Sequence, residues 1–530
     1  SVSHVVDALT YEPSLFSPQL LRTLDQFDQD DALIASLSLS IQRLANFIDQ
    51  ASHNYIGFSS CESYARSQRA CQILQAILPD YYADVNKNQS IYDTLRDRNW
   101  SSNCDLPAAC FVTPEHPAQV AISIQVITRF RSKFAVRSGG HNPNPGFAGV
   151  GLEGVTIDTQ RFQKLQLSND KLTTIVGAGL RFGAVQEFLA PHDVAVVSGR
   201  NVDVGVSGLL LGGGHPIINS MTGLAADNIK SIKIVLSDST LVTASRNENE
   251  DLFRALKGGG NNFGIVTEFE LYTTMPNSIW YHTASYDLSK PREVLNAFVE
   301  VQRNMERDPK AGIQMTYTPN GFTVVFVYGE HTEDPAVFSP FRHLVSTAVI
   351  PKTNGTALNF IKLQSPAQPK CMRDTVASTT LPETDLYIEV FNQYIATVMA
   401  HKNTSAAFVL PIQTFNSEAA RIADRNGGNV LGTSYRAQTW WNPIAQWTDP
   451  AESTSIRRDL LELGDFITKR AQAKGLHDKF IFSNIAAGDQ NVLASYGRQN
   501  MELLRLVSKE YDGTSAFQTL QNGGFLISKS

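Results

Sequence analysis

Val136-Arg137-Ser138-Gly139-Gly140-His141 is the stretch on which the reading of this chain turns. Phe134 to Arg137 is a short apolar run that reads as a strand, and Ser138-Gly139-Gly140 stops it. Two successive glycines allow a sharp turn that presents consecutive backbone N–H groups. Such a nest suits a pyrophosphate, and Arg137 could add charge to it. His141 stands at the tip of this loop, followed by Asn142. Taken alone, the hexapeptide reads as an ordinary turn with an exposed histidine, so its neighbours decide.

Two further glycine clusters follow strand-like runs. One is Val204-Gly205-Val-Ser-Gly208-Leu-Leu-Leu-Gly212-Gly213-Gly214-His215, continued by Gly223-Leu-Ala-Ala-Asp227-Asn228. The other is Gly258-Gly-Gly260-Asn-Asn-Phe-Gly264-Ile-Val266. Glycines at strand ends let backbone pass close to a flat or phosphorylated ligand. Together with the first loop they point to one extended cofactor held largely by main chain. Gly177-Ala-Gly179-x3-Gly183 also opens a helix, but its spacing is not G-x-G-x-x-G and no acidic residue ends the next strand. That reads as a tight turn rather than a nicotinamide site. The chain has no G-x-S-x-G, no G-x-x-x-x-G-K-[ST] and no H-E-x-x-H. The hydrolase-elbow, phosphate-loop and zincin readings therefore lose their signatures.

The 530 residues exceed one domain of about 100–200 residues. Lys and Arg number 45 against 51 Asp and Glu, a net charge of −6, which speaks against general nucleic-acid affinity. No apolar run approaches the ~18 residues of a membrane span. The first residue is Ser1 rather than Met, so removal of a leading segment is an expectation, although no signal peptide is visible. Residues 1–60 read as a helical extension, with Leu20, Leu21, Leu24 and Phe27 at helical spacing. After Pro276 the texture becomes α+β: a helix opens at Pro291, and Phe322, Val324, Phe326 and Tyr328 alternate as a strand.

Cys61, Cys71, Cys104 and Cys110 cluster early, and Cys371 stands apart. The spacing lacks the short pairs of a zinc site, so no metal is expected. Two disulfides with one free thiol, or five buried thiols, both remain open. Sequons at Asn88, Asn99, Asn354 and Asn403 tilt the balance toward a secreted glycoprotein.

In order and spacing, the string Val136 to His141, Gly-Val-x-Ile-Asp158, Val-Gly-Ala-Gly179, the two glycine clusters and the tail Phe517-Gln518-x4-Gly523-Gly524-Phe525 resembles the FAD-linked oxidoreductases of the vanillyl-alcohol oxidase type. It is most similar to the fungal berberine-bridge-enzyme-like flavoproteins. The resemblance implies an α+β, two-lobed FAD-binding fold. Residues 61–275 and 481–530 would form the cofactor domain and 276–480 the substrate domain, whose antiparallel sheet is covered by helices. It implies FAD bonded covalently through His141. Relatives with a second, cysteinyl link carry it where this chain has Asn201, so one link is expected. Cofactor contacts would come from Arg137, Ser138, Gly139, Gly140, His141 and Asn142 in the first loop. Val204, Gly205, Gly208, Gly212, Gly213 and Gly214 would supply them in the second. Asp227, Asn228, Gly264, Val266 and Asn484 complete the set. Cys71 with Cys110 matches a pair common in fungal members, and Cys61 with Cys104 is a looser match.

The implied activity is that of an oxidase. Hydride passes from a small secondary metabolite to flavin N5, and O2 reoxidises the flavin to give H2O2. A flavin-retaining isomerase or cyclase is the alternative, and a binding protein without turnover is a third reading. Two places where relatives carry ionisable groups hold Gly432 and Ile485 here. Tyr435, His215 and Tyr281 are then the candidate proton acceptors by residue type.

Overall fold

The computed structural model describes residues 22–24, 26 and 62–530. Of the expected N-terminal extension, 22–24 is helical, Leu24 is buried, and Thr23 Oγ1 donates to the Ser239 carbonyl at 2.9 Å. Leu20, Leu21, Phe27 and Cys61 lie outside the described residues.

Three sheets organise the chain. The first contains β1 (Tyr82–Ala83), β2 (Cys110–Val112), β3 (Lys133–Arg137) and β4 (Gly154–Asp158) in the order β1-β2-β4-β3. β2 and β3 both run parallel to β4. Every residue of β4 is buried, as expected of a parallel strand covered on both faces. The helix Pro117–Phe130 supplies the crossover between β2 and β3. The second sheet is antiparallel, with β5 (Leu165–Leu167), β6 (Thr173–Gly177), β7 (Ile229–Leu236), β8 (Leu241–Ser245) and β9 (Gly264–Tyr272) in the order β5-β6-β9-β7-β8. One apolar core spans both sheets and the helices between them, and the C-terminal segment adds Phe480, Leu504 and Phe517 to it.

The third sheet is large and antiparallel. It contains β10 (Ser278–Tyr286), β11 (Ala311–Thr318), β12 (Gly321–Tyr328), β13 (Thr347–Thr356), β14 (Met372–Thr375), β15 (Ser378–Thr380), β16 (Ala407–Phe415), β17 (Gln438–Trp441), β18 (Ile444–Trp447) and β19 (His477–Asp478); eight follow the order β13-β10-β12-β11-β16-β17-β15-β19, and off this path β18 joins β16 to β14. Period-2 alternation decides its faces. Trp280, Ala284, Phe322, Val324, Phe326, Ile313 and Met315 pack with the helices Pro291–Met305, Thr384–Ala400 and Ser453–Ala473 in a second core. The intervening Ile279, Tyr281 and Val327 pack instead with Ile217 and Ile218, in the segment after the second glycine cluster. This face of the sheet therefore meets the glycine loops.

The C-terminal segment returns to the first sheet. Phe134 N–H donates to the Leu520 carbonyl at 3.1 Å, and Asn522 N–H donates to the Phe134 carbonyl at 2.7 Å. Asn522 Nδ2 also donates to the carbonyls of Gly146 and Gly149, at 3.1 Å each, just beyond the His141 loop.

Cys71 and Cys110 form a disulfide across 39 residues. The second expected pair is corrected: Cys104 is a free buried thiol whose Sγ donates to the Asn142 carbonyl at 3.4 Å, and burial pushes its pKa up to about 12. Cys371 is also free and buried. Reduction of Cys71–Cys110 is expected to lower unfolding stability by roughly 3–4 kcal/mol in the chain-entropy model. Denaturant titrations with and without reductant measure this, and an unchanged midpoint would contradict it. Cys104 and Cys371 should alkylate only after unfolding. Among the described residues no helix is long and apolar enough to cross a membrane.

Candidate functional site

Parallel pairing of β3 with β4 sets Arg137 opposite Asp158. Arg137 Nε donates to Asp158 Oδ2 at 2.7 Å, with the two side chains 1% and 0% exposed. Arg98 donates to the same carboxylate at 2.8 Å and to the Ser138 carbonyl at 3.0 Å. The side chain of Arg137 is thus turned beneath the loop, against the expectation that it reaches toward a ligand. Two guanidiniums share one carboxylate, which leaves the base of the loop net positive.

Above this base the first two glycine loops cross. A Cβ on Gly205 would stand 2.6 Å from Gly139 Cα, and one on Gly139 would collide with Gly205 in return. Ser138 Oγ and Ser207 Oγ both donate to the Ala178 carbonyl at 2.7 Å, pinning both loops to the Gly177-Ala-Gly179 turn. Past the helix Val206–Leu211, the N–H groups of Gly258 and Gly260 both donate to the Leu211 carbonyl at 3.1 Å. Asn484 straps the second loop, its Nδ2 donating to the Gly208 carbonyl at 3.0 Å and its Oδ1 accepting from Gly214 N–H at 2.9 Å. The three glycine clusters are thereby brought together.

The clusters do not all face outward. Gly208 and Gly260 open onto free space where a Cβ would stand, whereas Gly214 is packed by Leu209 and Ala225. Gly212 lies under Ser483 and Asn484, and a Cβ on Gly213 would be 3.0 Å from Leu431. Gly264 lies under the Val235 carbonyl and Val266 is in the core. Val204 is occupied as an acceptor for Phe182 N–H. Asp227 accepts from Leu224 N–H and Asn429 Nδ2, and burial raises its pKa. Asn228 Nδ2 donates to the carbonyls of Thr222 and Leu224, so both residues shape their own segment.

His141 has a distinct setting. Its ring stacks on Trp100 at 4.3 Å with 13° between planes, and Arg373 lies 4.6 Å from the same indole. Arg373 Nη1 also donates to the Trp100 carbonyl, and Arg181 Nη2 donates to the Gly139 carbonyl at 3.0 Å. Burial first, then the charges of Arg181 and Arg373, lower the imidazole pKa to about 4. His141 Nε2 is buried without a hydrogen-bond partner. Asn142 Oδ1 accepts from Asn144 N–H at 2.9 Å, fixing the chain just beyond. An unpartnered buried imidazole nitrogen at the loop tip, with open space over Gly208 and Gly260, fits an extended cofactor bonded at His141. Asn201 carries an amide that caps Asp203 N–H at 2.8 Å, and no thiol stands there.

The candidate proton acceptors are scattered. Tyr435 is 56% exposed and donates to Asp424, whose carboxylate raises its pKa. Tyr281 is buried in the apolar cluster between sheet and loops, and burial raises its pKa. His215 is buried beside Trp440, with Nε2–H donating to the Thr414 carbonyl at 2.9 Å. Burial, then the charge of Arg200, lowers its pKa to about 3. A pH–rate profile is therefore expected to show no limb from His215 near pH 6–7, and a limb there that disappears in His215→Gln would contradict this. The sign for stability follows from linkage. The unfolded imidazole, near 6.5, binds a proton that the folded one refuses, so His215 contributes fully above about pH 6.5. That contribution drains away as pH falls toward about 3.

Trp100, Arg98, Arg181 and Arg373 were not among the sequence candidates. They reach the loop from 40 or more positions away, and no local motif marks them.

A family model described as an FAD binding domain matches residues 108–245. An FAD-dependent monooxygenase of Arthrobotrys oligospora is 36% identical over 446 residues, covering 83% of this chain and 86% of its own. An FAD-dependent monooxygenase of Aspergillus niger is 31% identical over 83% of this chain and 76% of its own. Among solved structures, 6-hydroxy-D-nicotine oxidase from Arthrobacter nicotinovorans superposes with a TM-score of 0.72 at 18% identity, over 85% of this chain and 98% of its own. Glucooligosaccharide oxidase from Acremonium strictum, which bears a 6-S-cysteinyl, 8α-N1-histidyl FAD, gives 0.71 at 18% identity, over 86% and 99%.

Proposed function

Because this chain belongs with the fungal FAD-dependent enzymes it matches at 36% identity, and has the fold of the vanillyl-alcohol-oxidase-type and berberine-bridge-enzyme-like flavoproteins, we propose that it is an oxidase of a small secondary metabolite with a single histidyl link to its flavin. The setting of His141 carries the reading. A nitrogen that bonds carbon does so through a lone pair, so the ring has to be unprotonated. With a pKa of about 4, it is neutral throughout the physiological range. The Trp100 stack restricts the ring plane, and Arg373 braces the indole. When bound, FAD supplies the hydride acceptor, and its reoxidation by O2 gives hydrogen peroxide. Residues 61–275 and 481–530 hold it, and 276–480 hold the substrate against it. The apolar side chains of Ile279, Tyr281, Val327 and Trp440 on the facing sheet support a substrate with a carbon-rich body.

The activity for which the relatives are named, monooxygenation, retains one oxygen atom in the product and consumes an external reductant. Peroxide formed per substrate consumed separates the possibilities. One-to-one peroxide with no added reductant, and bleaching of the flavin by substrate under anaerobic conditions, supports the oxidase. The second reading, a non-oxidative isomerase or cyclase, is favoured by Gly432 and Ile485, neither of which can exchange a proton. It would give product with no peroxide and no bleaching.

The Cys71–Cys110 disulfide and the exposed sequons at Asn354 and Asn403 support passage through the secretory pathway. Asn99 is different: 4% exposed, it donates from Nδ2 to the Cys104 carbonyl at 2.9 Å and to Asp105 at 3.1 Å. Glycan mapping of the folded protein should find sugar at 354 or 403 and none at 99; a glycan at Asn99 would overturn that assignment.

A further inference from the structure

The sheet face that meets the glycine loops carries a lateral row, one residue per strand: Thr283, Val325, Gln314, Gln413 and Trp440. Two glutamines in the middle of such a face are unusual cargo for a packing surface, and they are 5% and 1% exposed. Arg200, from the loop leading into Gly205, reaches across and donates from Nη1 to Gln314 Oε1 at 2.8 Å. Among the described residues, no carboxylate lies within ion-pair distance of this guanidinium. Burial lowers its pKa to about 10, so it keeps its charge at neutral pH. Arg200 is half-buried, and a cation partly withdrawn from water without a counter-charge gains from a partner of opposite charge.

The rest of the group is also unfinished. A guanidinium only donates, so it must face the amide oxygen of Gln314, which leaves the NH2 as the free end. That Nε2 is buried without a partner. His215 gives its Nε2–H to the Thr414 carbonyl, so Nδ1 keeps a lone pair, and it too is buried without a partner. Thr414 adjoins Gln413 and donates to the Ile313 carbonyl at 2.8 Å, so these groups share one corner of the sheet. The corner offers a fixed cation, an amide donor and an imidazole acceptor.

We propose that Arg200 and Gln314 form an anion seat in the substrate site, and that the molecule this enzyme oxidises carries an ionised oxygen there: an enolate, a phenolate or a carboxylate on an otherwise apolar body. The inference rests on the reading of the chain as a flavin enzyme whose substrate meets this sheet. The seat supplies charge stabilisation where no side-chain base is placed: an oxygen held as its anion by Arg200 needs no residue to remove its proton.

The test uses flavin-loaded enzyme titrated with benzoate and, separately, with its neutral isostere benzamide. Binding is followed by calorimetry and by perturbation of the visible flavin spectrum. Benzoate is expected to bind at least about tenfold more tightly than benzamide, the scale of one charge-assisted hydrogen bond. Arg200→Gln should bring benzoate down to the benzamide level, Arg200→Lys should keep part of the difference, and Gln314→Met should weaken benzoate alone. Absence of benzoate binding, equal binding of the two probes by the wild type, or unchanged discrimination in Arg200→Gln overturns the seat. Flavin content is recorded on the same samples: a wild type that holds no flavin would sink the flavin-enzyme reading, and that outcome is distinct from a failure of anion discrimination.

Discussion

His141→Ala is expected to release all flavin into the supernatant on acid precipitation, whereas the wild-type pellet stays yellow and fluoresces on a denaturing gel. The effect should be close to all-or-none, because Asn201 offers no thiol for a second bond, and Cys104 and Cys371 are buried. Reversible binding should survive, since the strapped glycine loops and the Arg98–Asp158–Arg137 base do not depend on the imidazole. Added FAD should therefore restore a flavin spectrum to His141→Ala without restoring acid-stable colour. Trp100→Ala should give an intermediate fraction of linked flavin, because a stack that fixes the ring plane is lost while the nucleophile remains. A yellow acid pellet from His141→Ala, or a flavin peptide containing cysteine, would refute the single-link assignment.

The second large effect concerns Gly432. Gly432→Glu places here an ionisable side chain of the kind the resemblance implies, yet it is expected to cost roughly 3–5 kcal/mol and to supply no base. Gly432 has φ +67, a conformation that side chains other than glycine rarely adopt. A Cβ there would collide with the Tyr496 carbonyl oxygen and lie 3.0 Å from Asn500 Nδ2. Backbone oxygen has little freedom to retreat, because Tyr496 is packed in the first core and its phenol donates to the Gly258 carbonyl at 3.1 Å. A denaturant midpoint that falls with an unchanged slope would agree. A variant as stable as the wild type would show that this turn can rearrange to take a side chain.

The strand and turn at the His141 loop were legible because their information is local. A strand, two glycines and a histidine have to be neighbours in sequence to be neighbours in space, and the same holds for the glycine-rich entry into the helix Val206–Leu211. The alternation of Phe322 to Tyr328 likewise announced a strand, found as β12. What could not be read is what arrives from afar. Arg98 reaches Asp158 across 60 residues, Arg373 reaches Trp100 across 273, and Arg200 reaches Gln314 across 114. Arg137 shows the opposite error: its position in the motif was clear, but the register with Asp158 that turns it inward is set by strand pairing. Tyr435 failed similarly. It lies three residues after Gly432, and only the folded path of that turn shows its phenol at the surface on Asp424. Cys104 matched a pattern, but its thiol is spent on the Asn142 carbonyl.

The pairing of β3 with residues near 520 sets an order of events during synthesis. A ribosome delivers β3 and the His141 loop long before it delivers Leu520 and Asn522, whose backbone and side chain close the edge of that strand and hold the carbonyls of Gly146 and Gly149. Until then an apolar edge strand is open to wrong partners. If His141 carries the proposed link, its formation is expected to follow synthesis: a nascent chain stalled before residue 520 should carry no linked flavin, however long it waits in the presence of FAD.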